Sequence, residues 1–539
     1  MRLLSSVTKK ALLAFGYPRL NIDPTTIDND NLSNNNNSKN TASSLYNVGA
    51  TKIRMSTDLP ACQLFYPADD DLKKKKNENS QKFIPYFRKE AVTGMIDYLN
   101  GFGDGVLQML EEKSHPCQQY YDCNPITMTT MNRNNENNDN DESNNTINKF
   151  PLLLFSHGLG GNMELYTELC AMIASYGYIV VAIEHEDGSA SYAASSASSA
   201  SFDDDEKKVK EQEKQIPYQQ PFSNAKVPYS RQKVLDMRTP MLEQRVNELQ
   251  QIYNYMATTT TNENDVPVPS SSELVQKIIS ITNLDELHLV GHSFGGATQL
   301  LAAQQWMTSK AVKERTETER IKSSSATTII GTADSSGDGG IATAVVAAPA
   351  PATTTTIVTT NTISNTATTK IPPIPKSIMV LDAWCYALSD EILNNGISIS
   401  ISVVDDDDDD DDEQQAQQQY PKIISILSQD WALTNQERKQ TLQFLKNCNN
   451  NNVSSYYAKD SVHQSFSDTE CWLPTYIARK TFGMRGMKED RHITIRSCVQ
   501  EFIKQTQTST QEQTTGTQQN NDDNNNNNDN NILIPFPYK

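Results

Sequence analysis

The sequence lacks any apolar run that approaches the roughly 18 residues needed to cross a membrane. The first apolar stretch is interrupted by Lys9 and Lys10, so it forms neither a continuous signal-peptide core nor a small-residue cleavage site. We therefore expect no transmembrane segment and no secretory signal, and these absences favour a cytoplasmic location. Residues 1–20 are basic and free of acidic side chains, which is also compatible with an organellar transit peptide.

Clustered positive charge is scarce as well. The chain has 47 Lys and Arg against 66 Asp and Glu, a formal net charge of −19, and its only basic run is 73–76. Binding to nucleic acid requires clustered Lys and Arg to neutralise phosphates, so we expect no nucleic-acid partner. Much of the negative excess lies at 203–206 and 405–412, which are low-complexity stretches, and it predicts no other partner.

Cysteine pairs with metal-ligand spacing are missing too. The 8 cysteines are spread along the chain without a CxxC pair, so reduced thiols are expected. His115, Cys117 and Cys123 are close in sequence, but a zinc site would need a second ligand pair, and loop residues are the better interpretation. The sequence therefore predicts neither a metal nor a cofactor.

Apolar residues are thin in about half of the 539-residue chain, where Asn-rich, Ser/Ala, Thr/Ala and Asp-rich tracts cannot build a core. The remaining blocks suit one large domain over 45–503, with an N-terminal extension at 1–44 and a disordered tail at 504–539. The domain is expected to be interrupted by inserts at about 126–148, 187–229, 308–370, 396–420 and 448–454.

Short apolar runs alternate with segments of helical spacing within these blocks. Strands are predicted at 150–155, 178–183, 284–290, 377–381 and 423–427, and helices at 164–174, 231–256, 274–279 and 297–307. Repeated strand-helix units predict an α/β fold with a mostly parallel, doubly wound sheet and helices on both faces. Functional groups in such sheets lie at the carboxyl ends of the strands.

The motif Gly291-His292-Ser293-Phe294-Gly295 lies between a predicted strand and a predicted helix. In this context Gly-x-Ser-x-Gly is typical of a nucleophile elbow, in which the glycines permit a strained turn that exposes the serine. The alternative is an ordinary glycine-rich turn, but the flanking strand and helix favour Ser293 as a nucleophile.

A serine nucleophile needs a histidine base and a carboxylate that orients it. In the α/β-hydrolase order the acid and then the histidine follow the serine, which leaves His463 and His492. His492 opens a β-like run at 492–495, so we favour His463. Asp382 follows one predicted strand and Asp430 follows the next, and spacing alone leaves both open as the acid.

Backbone amides must also bind the oxyanion of the tetrahedral intermediate, one after the nucleophile and one in an early strand-helix loop. Phe294 and Leu159 occupy those two positions. The loop 156–161 could instead be a phosphate loop, but it lacks the Gly-Lys-Ser/Thr ending of that motif.

Several blocks together resemble the platelet-activating factor acetylhydrolase family, calcium-independent phospholipases A2 of the α/β-hydrolase superfamily. The similar blocks occur in the family's order at 46–49, 64–67, 155–160, 176–185, 291–298, 381–384 and 461–464. The resemblance implies the α/β-hydrolase fold, Ser293 as nucleophile, Asp382 as acid, His463 as base, and Leu159 and Phe294 as oxyanion donors. It thereby favours Asp382 over Asp430.

The resemblance also implies a substrate and a reaction. We expect hydrolysis of the sn-2 acetyl or short or oxidised acyl ester of a phospholipid, as in a 1-alkyl-2-acetylglycerophosphocholine esterase. In the family an amphipathic helix contacts lipid surfaces, and apolar residues between Met95 and Leu110 recur at helical spacing, so transient membrane contact is a hypothesis. The rival functions are a general carboxylesterase or lipase and a non-catalytic interaction protein.

Overall fold

The computed structural model describes most of the blocks between the low-complexity tracts. The described residues are 10–12, 14, 45–69, 83–101, 104–126, 149–195, 215–219, 230–259, 273–326, 370–397, 420–434, 438–448, 452–472, 493–515 and 532–536. The chain divides into two compact units, one of Met1–Met307 with Pro372–Lys539 and one of Thr308–Ile371. The first unit holds the sheet, and in the second the described residues 308–326 are helical.

The first unit contains a nine-stranded sheet. Its strands, numbered here along the chain, are β1 (Val48–Arg54), β2 (Ala61–Pro67), β3 (Phe150–Ser156), β4 (Ile179–Ile183), β5 (Thr282–His292), β6 (Ser377–Leu381), β7 (Lys422–Ser428), β8 (Val453–Ala458) and β9 (Leu533–Pro535). Residues Ala193–Ala194 and Gln215–Ile216 pair separately as a short antiparallel ladder.

The strand order across the sheet is β1-β2-β4-β3-β5-β6-β7-β8-β9. The six strands from β4 to β8 in this order, β4-β3-β5-β6-β7-β8, run parallel to one another. The pairs β1-β2, β2-β4 and β8-β9 are antiparallel. In the sheet β4, not β3, lies beside β2, so β3 is the neighbour of β5. The carboxyl ends of β3, β5 and β6 are therefore adjacent at one edge of the sheet. This is the mostly parallel sheet of the α/β-hydrolase fold, as predicted, and the candidate site lies at that edge.

The described α-helices follow the strands in the expected alternation. They are α1 (Lys89–Tyr98), α2 (Asp104–Leu107), α3 (Met109–Glu112), α4 (Thr167–Ser175), α5 (Arg231–Thr259), α6 (Glu273–Ser280), α7 (Phe294–Ala326), α8 (Asp390–Asn395), α9 (Gln429–Thr434), α10 (Arg438–Lys446) and α11 (Ile493–Thr515). Short 3-10 helices occur at Gln118–Tyr120, Cys385–Ala387, His463–Phe466 and Asp468–Cys471.

Successive side chains of a strand point to opposite faces of the sheet, and the central parallel strands are buried on both faces. On one face, Leu153 and Phe155 of β3 share a core with buried residues of α4 and α11, including Leu169 and Phe502. The alternate residues of β3 are equally buried on the other face. Helix α5 packs against β5 and α6.

Three features differ from the sequence-based expectations. The run 492–495 looked strand-like, but residues from Ile493 onward form α11, because Val499 and Phe502 then reach the core at helical spacing. Helix α11 and strand β9 extend the ordered fold into 504–539. Likewise, α7 continues to Ala326, inside the segment expected to be an insert.

The apolar stripe between Met95 and Leu110 lies mainly in the core. Met95, Met109 and Leu110 are buried, whereas Leu99 at the end of α1 is 37% exposed. The segment is divided among the three helices α1, α2 and α3. Separately, no described helix is both long enough and apolar enough to span a bilayer.

Candidate active site

The turn of the Gly-x-Ser-x-Gly motif, the predicted nucleophile elbow, forms between β5 and α7. Ser293 is the single residue between His292, which ends the strand, and Phe294, which begins the helix, and its φ of 56° lies in the left-handed region. That conformation is strained for a residue with a side chain and marks sites where the surrounding structure imposes it. Ser293 is 8% exposed.

The two glycines of the motif are required by close backbone contacts. A Cβ on Gly291 would lie 2.3 Å from the carbonyl oxygen of Gly295, and one on Gly295 would lie 2.0 Å from that of Ser156. No side chain can occupy either space. The elbow is thus packed directly on the end of β3, the strand that leads into the predicted oxyanion loop.

Asp382 follows β6, as expected, and its carboxylate is fully buried. It accepts hydrogen bonds from the Ser428 backbone amide at 2.7 Å and from the Ser428 hydroxyl at 2.6 Å. Its Oδ2 lies 3.0 Å from Nδ1 of His463. The competing acid, Asp430, lies in α9 with its side chain exposed. The structure therefore places Asp382 in contact with the predicted base.

His463 begins a 3-10 helix that follows β8. Because a carboxylate can only accept, its contact with Asp382 leaves the proton of a neutral His463 on Nδ1 and frees Nε2 as an acceptor. The ring is stacked on the indole of Trp431, with centroids 4.6 Å apart and planes 16° apart. The imidazole is thereby held both at its edge and on its face.

Main-chain hydrogen bonds tie the three segments together. The amide of Ser293 donates to the carbonyl of Leu381 at 2.8 Å, and the amide of Trp384 donates to the carbonyl of Ser293 at 2.8 Å. Asp382 lies between those two partners in sequence. Nε2 of His292, the residue before the serine, lies 3.0 Å from the carbonyl of His463. Each predicted triad residue is therefore fixed against the segments of the other two.

His292 is a structural bridge rather than a free base. If its Nε2 donates to His463, its Nδ1 must accept, and Nδ1 lies 2.8 Å from the hydroxyl of Tyr166. Burial, followed by repulsion from His463, holds the pKa of His292 well below its usual value. A neutral His292 satisfies both contacts, and the role of this motif residue could not be read from the Gly-x-Ser-x-Gly pattern.

The predicted oxyanion loop lies against the nucleophile. A Cβ on Gly158 would lie 3.0 Å from Cβ of Ser293, so Leu159 follows a point of direct contact with the elbow. Phe294 is the first residue of α7, where the amides of the first turn have no acceptor within the helix. Phe294 therefore follows Ser293 directly, Leu159 follows a glycine that contacts Ser293, and the donor role of both residues stays a prediction.

The potential metal ligands near the site are side chains that also form hydrogen bonds. Within the described part of the chain, His292, Asp382 and His463 bring one potential ligand atom each within 4.8 Å of one another. The side chains of all three residues take part in the hydrogen bonds described above. Near His115, the backbone amide of Cys117 donates to Nδ1, and the Gln63 amide lies 2.7 Å from Nε2. Both ring nitrogens of His115 are thus engaged in hydrogen bonds.

Sequence reasoning missed Ser428, Trp431 and Tyr166. Ser428 ends β7 and Trp431 is the third residue of α9, so strand order brings Ser428 to Asp382 and Trp431 to His463 without any motif. The only signal in the sequence was a serine directly after the predicted strand 423–427, which is the next predicted strand after the one that precedes Asp382. Tyr166 carried no signal, because an isolated tyrosine is usually a core residue.

The strand order, the strained serine between β5 and α7 and the buried Asp382-His463 pair define the α/β-hydrolase fold. A family profile for platelet-activating factor acetylhydrolase, isoform II, matches residues 32–315, more than half of the chain. The chain belongs to this family. The matched segment includes Leu159, Ser293 and Phe294, and ends before Asp382 and His463.

Individual relatives are similar over shorter segments. The chain is 29% identical to platelet-activating factor acetylhydrolase of Canis lupus familiaris over 171 residues, which are 30% of this chain and 33% of the dog protein. It is 55% identical to a putative phospholipase A2 of Schizosaccharomyces pombe over 42 residues, covering 8% and 10% of the two chains. The alignments thus span a third or less of these relatives.

Among solved structures, a ferulic acid esterase from Streptomyces cinnamoneus is similar, with a TM-score of 0.40 and 11% sequence identity. The similarity covers 86% of this chain and 90% of the esterase. The fold is assigned from the strand order and the elbow described above.

Proposed function

We propose that this protein is a serine hydrolase that cleaves the sn-2 acetyl, or another short or oxidised acyl ester, of phospholipids. The observation that carries the proposal is the 3.0 Å contact between His463 and buried Asp382 beside the strained Ser293. Family membership supports a phospholipid as the substrate. No metal or cofactor has a step in the proposed reaction.

The first half of the reaction acylates the serine. Nε2 of His463 takes the proton of the Ser293 hydroxyl while Oγ attacks the ester carbonyl carbon. The negative charge that develops on the carbonyl oxygen is bound by the amides of Leu159 and Phe294. His463 then gives its proton to the departing lysophospholipid oxygen as the carbon-oxygen bond breaks. The products are a lysophospholipid and an acyl-serine.

The second half regenerates the serine. Water loses a proton to His463 and attacks the acyl carbon, and the same amides bind the new oxyanion. The intermediate collapses as His463 returns the proton to Oγ of Ser293, which releases a short carboxylic acid. The Asp382 carboxylate stabilises the imidazolium form of His463.

The positions of two tryptophans near Ser293 and His463 favour a substrate with a short acyl chain. Trp384 is bonded through its amide to Ser293 and lies with its ring 6.0 Å from that of Phe294. Trp431 is stacked on the catalytic histidine and packs in an apolar cluster that Trp384 adjoins. We propose that these large rings limit the room beside the reacting carbonyl, which favours an acetyl group over a long chain.

Replacement of Ser293 tests the reaction class. Ser293→Ala should lower ester turnover by roughly 10⁶, because removal of a triad nucleophile leaves only oxyanion binding and substrate positioning. The matched control is Ser425→Ala in β7, whose buried hydroxyl has no hydrogen-bond partner within the described part of the chain. Ser425→Ala should keep normal turnover. Comparable activity in purified, folded Ser293→Ala would overturn the proposal.

Acyl-chain profiling tests the substrate. Initial rates would be measured on 1-alkyl-2-acetylglycerophosphocholine, on a phosphatidylcholine with two long chains and on a long-chain triglyceride. We expect the 2-acetyl phospholipid to have the highest kcat/KM. A preference for the triglyceride, lost in Ser293→Ala, would identify a lipase instead. Absence of Ser293-dependent labelling by a fluorophosphonate in folded protein would indicate a non-catalytic binding module.

A further inference from the structure

A buried arginine lies behind the predicted oxyanion site. Arg245 belongs to α5 and has no exposed surface. Its guanidinium group lies between the loop that follows β3 and the loop that follows β4. Burial of a cation is costly unless every donor finds a partner, so the contacts of this side chain are informative.

Arg245 contacts the segments that carry both proposed oxyanion donors. Its Nη1 donates to the carbonyl of His157 at 2.6 Å, two residues before Leu159. The guanidinium carbon lies 4.7 Å from the centre of the Phe294 ring. One side chain therefore bridges the β3 loop and the beginning of α7.

The same arginine organises the loop after β4. Its Nε donates to Oδ2 of Asp187 at 2.7 Å, and its Nη2 donates to the hydroxyl of Ser189. That loop in turn binds the oxyanion loop: the amide of Gly160 donates to the carbonyl of Ser189 at 2.8 Å, and the amide of Ser191 donates to that of Gly161 at 2.9 Å. Residues 157–161 are thus held from two sides by groups that meet at Arg245.

The charges in this network are balanced. Burial acts to raise the pKa of Asp187, but Arg245 holds it below its usual value, so the pair is ionised at neutral pH. Burial, followed by repulsion from Arg245, lowers the pKa of His157 and of His185 well below the usual value. Burial raises the pKa of Glu248, the partner of His185, to about 8. The network therefore contains one ion pair surrounded by neutral groups.

We infer that Arg245 is the positioning residue for the oxyanion hole, a role that rests on the proposed function. Oxyanion donors act only within a narrow range of distances, so the loop carrying Leu159 must be rigid before substrate arrives. The planar guanidinium reaches Asp187, Ser189 and His157 at once, which a lysine ammonium on a flexible stem cannot reproduce.

The test compares two substitutions at Arg245 with a matched arginine. Arg245→Lys keeps the charge and Arg245→Met keeps the apolar stem. The control is Arg238→Met: Arg238 is also buried in α5 and lies 5.9 Å from the Phe294 ring, but it bonds to Met241 and Tyr218 instead of the oxyanion loop. Each protein would be checked by circular dichroism and titrated for active serine with a fluorophosphonate.

The readout is the preference for an ester over the matching thionoester. A rigid oxyanion hole stabilises developing charge on oxygen far better than on sulfur, so p-nitrophenyl acetate should react much faster than p-nitrophenyl thionoacetate. Loss of one oxyanion donor lowers kcat by about 10²–10³, so both Arg245 variants should lose about 10-fold to 100-fold in kcat with KM little changed. Their oxygen-to-sulfur preference should fall in parallel, whereas Arg238→Met should keep it.

The outcomes separate the two proposals. Wild-type turnover that does not depend on Ser293 would overturn the proposed function. Ser293-dependent turnover with an unchanged oxygen-to-sulfur preference in the Arg245 variants, or an equal loss in Arg238→Met, would overturn the positioning role alone. If the Arg245 variants do not fold, Ser189→Ala removes one partner of Arg245 with little change in volume. It should lower the preference in the same direction, and an unchanged preference would reject the role.

Discussion

Asp382 is the residue whose surroundings are most specialised for one task. Its carboxylate is removed from water and takes both a backbone amide and a hydroxyl from Ser428. Its φ of 45° is also in the left-handed region. The Ser428 hydroxyl and Nδ1 of His463 both contact Oδ2 of Asp382. Ser428 therefore fixes the carboxylate oxygen that faces the predicted base.

Ser428→Ala should therefore weaken catalysis without preventing substrate binding. A hydrogen bond to a charged group contributes about 1.5–3 kcal/mol, so kcat should fall by roughly 10-fold or more while KM changes little. Steady-state kinetics on p-nitrophenyl acetate would measure this. Ser425→Ala, three residues earlier in β7, is the matched control and should behave like wild type. A normal kcat in Ser428→Ala would show that Asp382 is oriented without that hydroxyl.

At this scale, motif residues were predictable and their partners were not. Gly291 and Gly295 are required by close contacts within the elbow and with the end of β3. The local pattern therefore predicts both glycines. Ser428 contacts Asp382 and Arg245 contacts His157, residues that are far away in sequence. The sequence next to Ser428 and Arg245 does not indicate these contacts. Spacing likewise could not separate Asp382 from Asp430, whereas the contact with His463 does.

Among the elements, β9 is the least expected. Residues 532–536 follow an Asn-rich tract, and the short strand Leu533–Pro535 pairs antiparallel with β8 at Tyr456–Ala458. Ile532 and Leu533 are buried, and Phe536 packs against the cluster that contains Trp431. This edge strand therefore helps to hold Trp431, on whose indole His463 is stacked.

Removal of residues 532–539 should destabilise the protein and reduce turnover. Burial of two large aliphatic side chains stabilises by about 3 kcal/mol or more, and Trp431 would also lose Phe536 from its cluster. Urea denaturation and kcat on p-nitrophenyl acetate would measure both effects. Removal of 537–539 alone is the control and should change neither. Equal stability of the two truncated proteins would contradict a structural role for β9.

Other elements were predictable where their apolar pattern was dense. The strands β3, β4 and β6 are mostly apolar runs, and β7 is apolar between Ile423 and Leu427 except for Ser425, because parallel strands are buried on both faces. The three-residue strand β9 is too short for any periodicity. The strand-like run 492–495 belongs to α11, because packing against the sheet overrides the local β-preference of Ile493 and Ile495.

For the whole molecule, the buried histidines determine how stability depends on pH. Burial lowers the pKa of His115, His157, His185, His288 and His292. Burial also raises the pKa of three carboxyls, Glu184, Glu248 and Asp468. The histidines make the unfolded chain bind more protons below pH 6.5, and the carboxyls oppose this in part.

Because the histidines outnumber those carboxyls, the free energy of unfolding should fall as pH decreases from about 6.5 to 5. His115→Gln should reduce that slope by up to about 1.4 kcal/mol per pH unit, since one proton fewer is taken up on unfolding. Urea denaturation at several pH values would measure the slope. Gln63→Met, which removes the partner of His115 but no titrating group, should lower stability with the slope unchanged. An unaltered slope in His115→Gln would contradict this account.

The sequence alone determined the fold class, the elbow and the order of the predicted triad, because these depend on local patterns: apolar runs, glycines at close contacts and the order of motifs along the chain. Tertiary structure alone brought Ser428 to Asp382, Trp431 to His463 and Arg245 to the β3 loop. Those contacts depend on which strands become neighbours and which loops meet at their ends, and side chains separated by tens of residues carry no local sign of such a meeting.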